Sequence, residues 1–134
     1  MRNPYETSKG QAWLRPSWVV SLDILGFASS IRRAIKTGTQ EEHLKRLRSA
    51  LTEAKEDLMK GIENPLIGQL DLPAPYVIKV FTDNIVLGFP IFDDGESEFG
   101  RMISIVGRYQ YTLLRHKFFV RGGIAFGNFT WTMM

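Results

Sequence analysis

Trp18-Val19-Val20-Ser21-Leu22-Asp23-Ile24-Leu25-Gly26-Phe27 is the stretch on which the reading of the chain turns. From Trp18 to Ile24 it is mostly β-branched and apolar, the composition of a buried strand. At Leu25-Gly26-Phe27 the run breaks, because glycine allows the sharp turn that a side chain resists. Phe27, Ile31, Ala34 and Ile35 then recur at helical spacing, and Lys36-Thr37-Gly38 closes that short helix with a basic last turn and a glycine. One residue does not fit a packing role. Asp23 carries a charge at the end of an apolar strand, just where a helix begins.

Working outward, Thr39 and Glu42 are spaced as a capping box, and Leu44, Leu47, Leu51, Ala54 and Leu58 step three and four apart. A second helix is predicted to about Lys60, stopping at Gly61. Pro65, Pro73 and Pro75 exclude regular structure over 62–75. In YVIKVFTDNIVLGF, two apolar runs flank Thr82-Asp83-Asn84, which reads as a hairpin turn. The polar FDDGESE leads into a third helix with Phe99, Met102, Ile103, Val106 and Leu113 on its apolar stripe, and KFFVRGGIAFGNF reads as a last strand whose glycines mark close backbone approach. The resulting order is the βαββαβ of a ferredoxin-like α+β sheet, with one helix added after the first strand. Residues 1–16 read as an N-terminal arm, flexible or partner-binding, and 17–134 as one domain.

With 134 residues, the chain has room for a single domain. Its 44% hydrophobic and 23% charged residues are the balance of a globular protein. The absence of cysteine excludes disulfides, thiolate zinc sites, iron–sulfur clusters and cysteine nucleophiles. His43 and His116 are far apart and flanked by basic residues, which reads as solvated surface. Any metal is therefore expected to be a hard ion on carboxylates. No apolar run approaches the ~20 residues of a membrane span, and MRNPYETSKG is no secretory leader, so a cytoplasmic protein is expected. A net charge of +3 suits a polyanionic small ligand, while no strand interleaves aromatic with basic residues as DNA or RNA binding would need.

Asp83, at the hairpin tip, is the second acid of interest. In the expected sheet the hairpin tip lies beside the end of the first strand, so Asp23 and Asp83 come together. Two adjacent carboxylates repel unless a cation sits between them, and oxygen ligands of this kind favour magnesium or manganese. The helix opening at Leu25-Gly26-Phe27-Ala28 points its first N–H groups and its dipole at the same spot, which suits phosphate. Each acid also has a plain structural reading, Asp83 as a turn residue and Asp23 as a helix cap. Metal and phosphate cradle together read as a nucleoside triphosphate site.

Ser21-Leu22-Asp23-Ile24-Leu25-Gly26-Phe27, Lys79-Val80-Phe81-Thr82-Asp83 and Val120-Arg121-Gly122-Gly123-Ile124-Ala125-Phe126-Gly127 resemble, in order, the three landmark motifs of class III nucleotidyl cyclases. The resemblance spans roughly residues 17–130. Thr82 stands where the family has glycine, and Ala28 where it has threonine or serine. The wording of Phe81-Thr82-Asp83-Asn84-Ile85-Val86 and Arg121-Gly122-Gly123-Ile124 is closer to the pyrimidine cyclases of bacterial Pycsar anti-phage systems. The resemblance implies a class III cyclase fold and two manganese or magnesium ions on Asp23, Asp83 and the Ile24 carbonyl. It further implies a phosphate cradle from the amides of Leu25, Gly26, Phe27 and Ala28, and a base contact from Lys79. Arg121 reads either as a phosphate contact or as an edge-of-sheet salt bridge. The implied reaction is attack of the ribose 3′-oxygen on the α-phosphorus with loss of pyrophosphate, in a homodimer whose subunits share each site. UTP ranks ahead of CTP, because Lys79 is a donor and uracil offers acceptors. An adenylate cyclase and a catalytically dead nucleotide-binding or dimerisation module are the alternatives. The family's transition-state asparagine and arginine lie on a later helix, so the domain is expected to be truncated at its C-terminus.

Overall fold

The computed structural model describes residues 2–62, 69–70, 72–81 and 83–132. Its elements run β1 (Arg15–Ile24), α1 (Phe27–Thr37), α2 (Gln40–Ile62), β2 (Val77–Val80), β3 (Asn84–Pro90), α3 (Glu96–Arg115) and β4 (Val120–Phe129). The fold is α+β. Its sheet has four strands in the order β2-β3-β1-β4, each antiparallel to its neighbours. Strands adjacent in sequence need not be adjacent in space: β1 is flanked by β3 and β4, with α1 and α2 between β1 and β2, a hairpin between β2 and β3, and α3 between β3 and β4.

Side chains alternate across a strand, so the register divides the sheet into two faces. Val20, Leu22 and Ile24 of β1 and Ile85, Leu87 and Phe89 of β3 share a core with Leu47, Ala50, Ala54 and Leu58 of α2 and Met102, Val106, Tyr109 and Leu113 of α3. The opposite face carries Ser17, Val19, Ser21 and Asp23. Residues 2–14, within the 1–16 stretch expected as a flexible or partner-binding arm, lie against the Ser17 end of the sheet. Tyr5 is fully buried, its hydroxyl is 2.7 Å from Ser17 Oγ, and the Ala74 N–H donates to the Arg2 carbonyl at 3.0 Å. Burial pushes the Tyr5 phenol up to about 12, against the hydrogen bond it shares with Ser17 and the charge of Arg15.

Several sequence expectations need revision. The second helix does not stop at Gly61 but runs on to Ile62. Gly61 serves packing there, since a Cβ on it would sit 2.2 Å from the Tyr76 hydroxyl. Tyr76 is buried, stacks on Phe89 at 5.0 Å and donates to the Leu58 carbonyl at 2.6 Å. Phe99 and Ile103 of α3 are not core residues; they turn towards β4, where Trp18, Phe99 and Phe126 line a trough of about 770 Å³. Of the β4 glycines, Gly122 is the one pressed against its neighbour, while a Cβ on Gly123 or Gly127 would meet nothing within 4 Å. Neither histidine is simply solvated: His43 Nε2 lies 3.1 Å from Ser30 Oγ, and His116 Nε2 lies 2.6 Å from Glu53 Oε2. Arg115 also binds Glu53, and the His116 and Arg115 bonds hold the Glu53 carboxyl below its usual range. Pro65 and Thr82 lie outside the described residues.

Candidate metal and phosphate site

The end of β1 is where the chemistry-bearing residues converge. Asp23 pairs with Asn84 across the β1–β3 ladder and with Arg121 across the β1–β4 ladder. One residue further along, the Ile24 N–H donates to the Asp83 carbonyl at 2.9 Å. That bond ties the hairpin tip to the strand end, so the backbones of the two acids of the sequence reading meet at one end of the sheet. Asp23 and Asp83 are both half-buried, and Ile24 is buried. The antiparallel order that puts β3 beside β1 is what brings residues 60 positions apart in sequence to the same place.

Alternation puts Asp23, Asn84, Arg121, Ser21 and Lys79 on the face of the sheet away from the helices, since Lys79 pairs with Val86 and Val86 with Ser21. Lys79 is exposed, its Nζ stands 5.6 Å from the Phe81 ring centroid, and both line a cleft of about 240 Å³ with Val86, Phe129 and Trp131. Phe81 and Trp131 escape the sequence reading. An aromatic two residues after a candidate lysine was a signal for Phe81, but nothing local marks Trp131.

The turn into α1 is only partly as expected. Gly26 adopts the left-handed conformation (φ 69°) that the sharp turn requires. The first N–H groups of a helix have no intrahelical acceptor, which leaves those of Phe27 and Ala28 without a partner inside α1. The Leu25 amide is different: it donates to the Phe119 carbonyl at 2.8 Å, so the expected cradle is narrowed to Gly26, Phe27 and Ala28.

Asp23 has a partner already. Arg121 Nε donates to Asp23 Oδ1 at 3.2 Å, with the arginine side chain 70% and the aspartate side chain 38% exposed. Beside them, Asn84 Oδ1 is buried without a hydrogen-bond partner. Among the described residues, no three His, Cys, Asp or Glu side chains form a ready metal cluster. Carboxylate and amide oxygens of the kinds that Asp23, Asp83 and Asn84 carry near the end of β1 suit magnesium or manganese in type.

Comparison of the chain with family models, with curated proteins and with solved structures finds no match. Among the described residues no helix is long and apolar enough to cross a membrane.

Proposed function

We propose that the chain is the metal- and nucleotide-binding core of a nucleotidyl cyclase of the class III type, on a ferredoxin-like sheet, converting UTP or CTP to the 3′,5′-cyclic monophosphate and pyrophosphate. One observation carries this reading: the Ile24 N–H bond to the Asp83 carbonyl, which joins the two acids beside the N-terminus of α1. Asp23 and Asp83 are the residues that would hold two manganese or magnesium ions, with the Ile24 carbonyl as a further ligand. Such ions, when bound, neutralise phosphate charge and acidify a hydroxyl. The amides of Gly26, Phe27 and Ala28 bind phosphate oxygens, helped by the positive end of the helix dipole. Lys79 donates to an acceptor on the base. The landmark motifs support this assignment through resemblance, and the class of enzyme they resemble builds its sites across a dimer.

The test is incubation of the full-length protein with each of the four nucleoside triphosphates and manganese, with chromatography of the products. Cyclic UMP or cyclic CMP is expected, and its loss in Asp83→Ala. Cyclic AMP alone would make the protein an adenylate cyclase. The ion pair between Arg121 and Asp23 favours a second reading, a nucleotide-binding or dimerisation module without turnover. That module would bind nucleotide in calorimetry and yield no cyclic product.

A further inference from the structure

We infer that His43 and Ser30 position two amides of the phosphate-binding turn, acting as a hydrogen-bonded relay from α2 to the start of α1. This rests on the reading of Gly26, Phe27 and Ala28 as a phosphate cradle. The Ser30 N–H donates to the Gly26 carbonyl and the Ser30 hydroxyl to the Phe27 carbonyl, both at 2.8 Å. Each of those carbonyls shares a rigid peptide plane with the next amide. Ser30 therefore holds the Gly26–Phe27 plane, which carries the Phe27 N–H, and the Phe27–Ala28 plane, which carries the Ala28 N–H. A serine bonded back to its own helix is ordinary. The imidazole behind it is not.

His43 Nε2 lies 3.1 Å from Ser30 Oγ. The hydroxyl has one proton and the Phe27 carbonyl can only accept, so both contacts are hydrogen bonds only when the imidazole carries a proton on Nε2. Donation then runs one way, from His43 to Ser30 to the Phe27 carbonyl, and ends at the Ala28 N–H across the same peptide. Bonds aligned in this sense polarise one another, which makes the terminal N–H a better donor to an anion. Two features hold the ring in place. Gly38 in the left-handed conformation and the Thr39 N–H bond to the Ala34 carbonyl fold the start of α2 back on α1, and the His43 N–H closes onto the Thr39 carbonyl. The ring also meets buried Phe118 edge-on at 6.0 Å, one residue before the carbonyl that takes the Leu25 N–H. Both are positioning residues: they set the angle at which the amides meet a phosphate.

Calorimetry of the full-length protein with inorganic triphosphate at saturating manganese tests this, with manganese affinity and the urea unfolding midpoint measured beside it. Ser30→Ala and His43→Ala should each bind triphosphate about three- to tenfold more weakly, the range of one net hydrogen bond. The double variant should lose no more than Ser30→Ala alone, because His43 acts only through Ser30. Manganese affinity should stay that of the parent, since Asp23 and Asp83 are untouched. His43→Gln, whose side-chain amide can still donate to Ser30, guards against a misfolded alanine variant and should recover most of the affinity. A tether that only joins α1 to α2 would lower the unfolding midpoint and leave triphosphate binding alone, and that result overturns the relay while the cradle stands. Additive losses in the double variant overturn it as well. No triphosphate binding by the parent overturns the cradle and this proposal with it.

Discussion

A Cβ built on Gly122 lies 1.9 Å from the carbonyl oxygen of Ser21, so β4 can lie against β1 at this point only without a side chain. The obstacle is backbone, which cannot rotate aside. Gly122→Ala should therefore destabilise the protein by about 3 kcal/mol, at the upper end of overpacking costs. Gly123→Ala, one position on and with nothing within 4 Å, should be close to neutral. Urea unfolding of the two variants makes the comparison, and equal midpoints would refute the close approach.

Gly61 and Tyr76 form a second tight pair, and here the obstacle is a side chain. Alanine ordinarily gains up to about 1 kcal/mol over glycine in a helix interior and less in the last turn, where Gly61 stands. At position 61 its Cβ would meet the Tyr76 hydroxyl at 2.2 Å, so Gly61→Ala should instead cost about 1–3 kcal/mol. In a Tyr76→Phe background the clash is largely gone and the same change should be neutral or stabilising. A double-mutant cycle measured by thermal or urea unfolding should give a coupling energy above about 1 kcal/mol, and strict additivity would exclude this packing.

These glycines show where sequence reading succeeds and where it stops. The strand, helix and hairpin pattern was legible because it rests on periodicity and turn residues, and the register places Asp23 beside Asn84 as a hairpin folded back on β1 demands. The end of α2 was read to within a residue, but the packing of Gly61 was missed because its partner, Tyr76, is distant in sequence. Phe99 and Ile103 have the spacing of core residues, and spacing does not say that β4 leaves their side of the sheet open. The Asp23–Arg121 ion pair links residues 98 apart. Its two alternatives for Arg121, phosphate contact or salt bridge, could be named from sequence but needed the ladder to separate them.

Glu98 gives a dependence on pH. Its carboxylate is buried and accepts from the N–H groups of Phe92 and Asp93, both at 2.8 Å, and of Gly95 at 3.1 Å, fixing the loop that starts α3. Burial pushes its pKa up, but the backbone hydrogen bonds outweigh that and hold it below the ordinary 4.5. A lowered folded pKa contributes stability that is present above the unfolded value and lost as pH falls through the folded one. Stability should therefore drop below about pH 4.5. Glu98→Gln sets an amide against backbone donors and should cost about 1–3 kcal/mol at pH 7, with a flatter acid limb in denaturant titrations. An unchanged acid limb would remove Glu98 from the account.

Lys79 offers the sharpest separation of base from phosphate recognition. It pairs with Val86 on the helix-free face, is exposed, and stands over Phe81 in the small cleft beside Trp131. Lys79→Met keeps the apolar stem and removes the charge, so the fold should hold with an unfolding midpoint near that of the parent. Manganese affinity should also be unchanged, because Asp23 and Asp83 are untouched. If Lys79 donates to the base, the variant should bind UTP with manganese about tenfold more weakly, the scale of a charge-assisted hydrogen bond, while inorganic triphosphate binds as before. Calorimetry with the two ligands reads this directly. Equal losses for UTP and inorganic triphosphate would move Lys79 from the base to the phosphates, and no loss for either would take it out of the site.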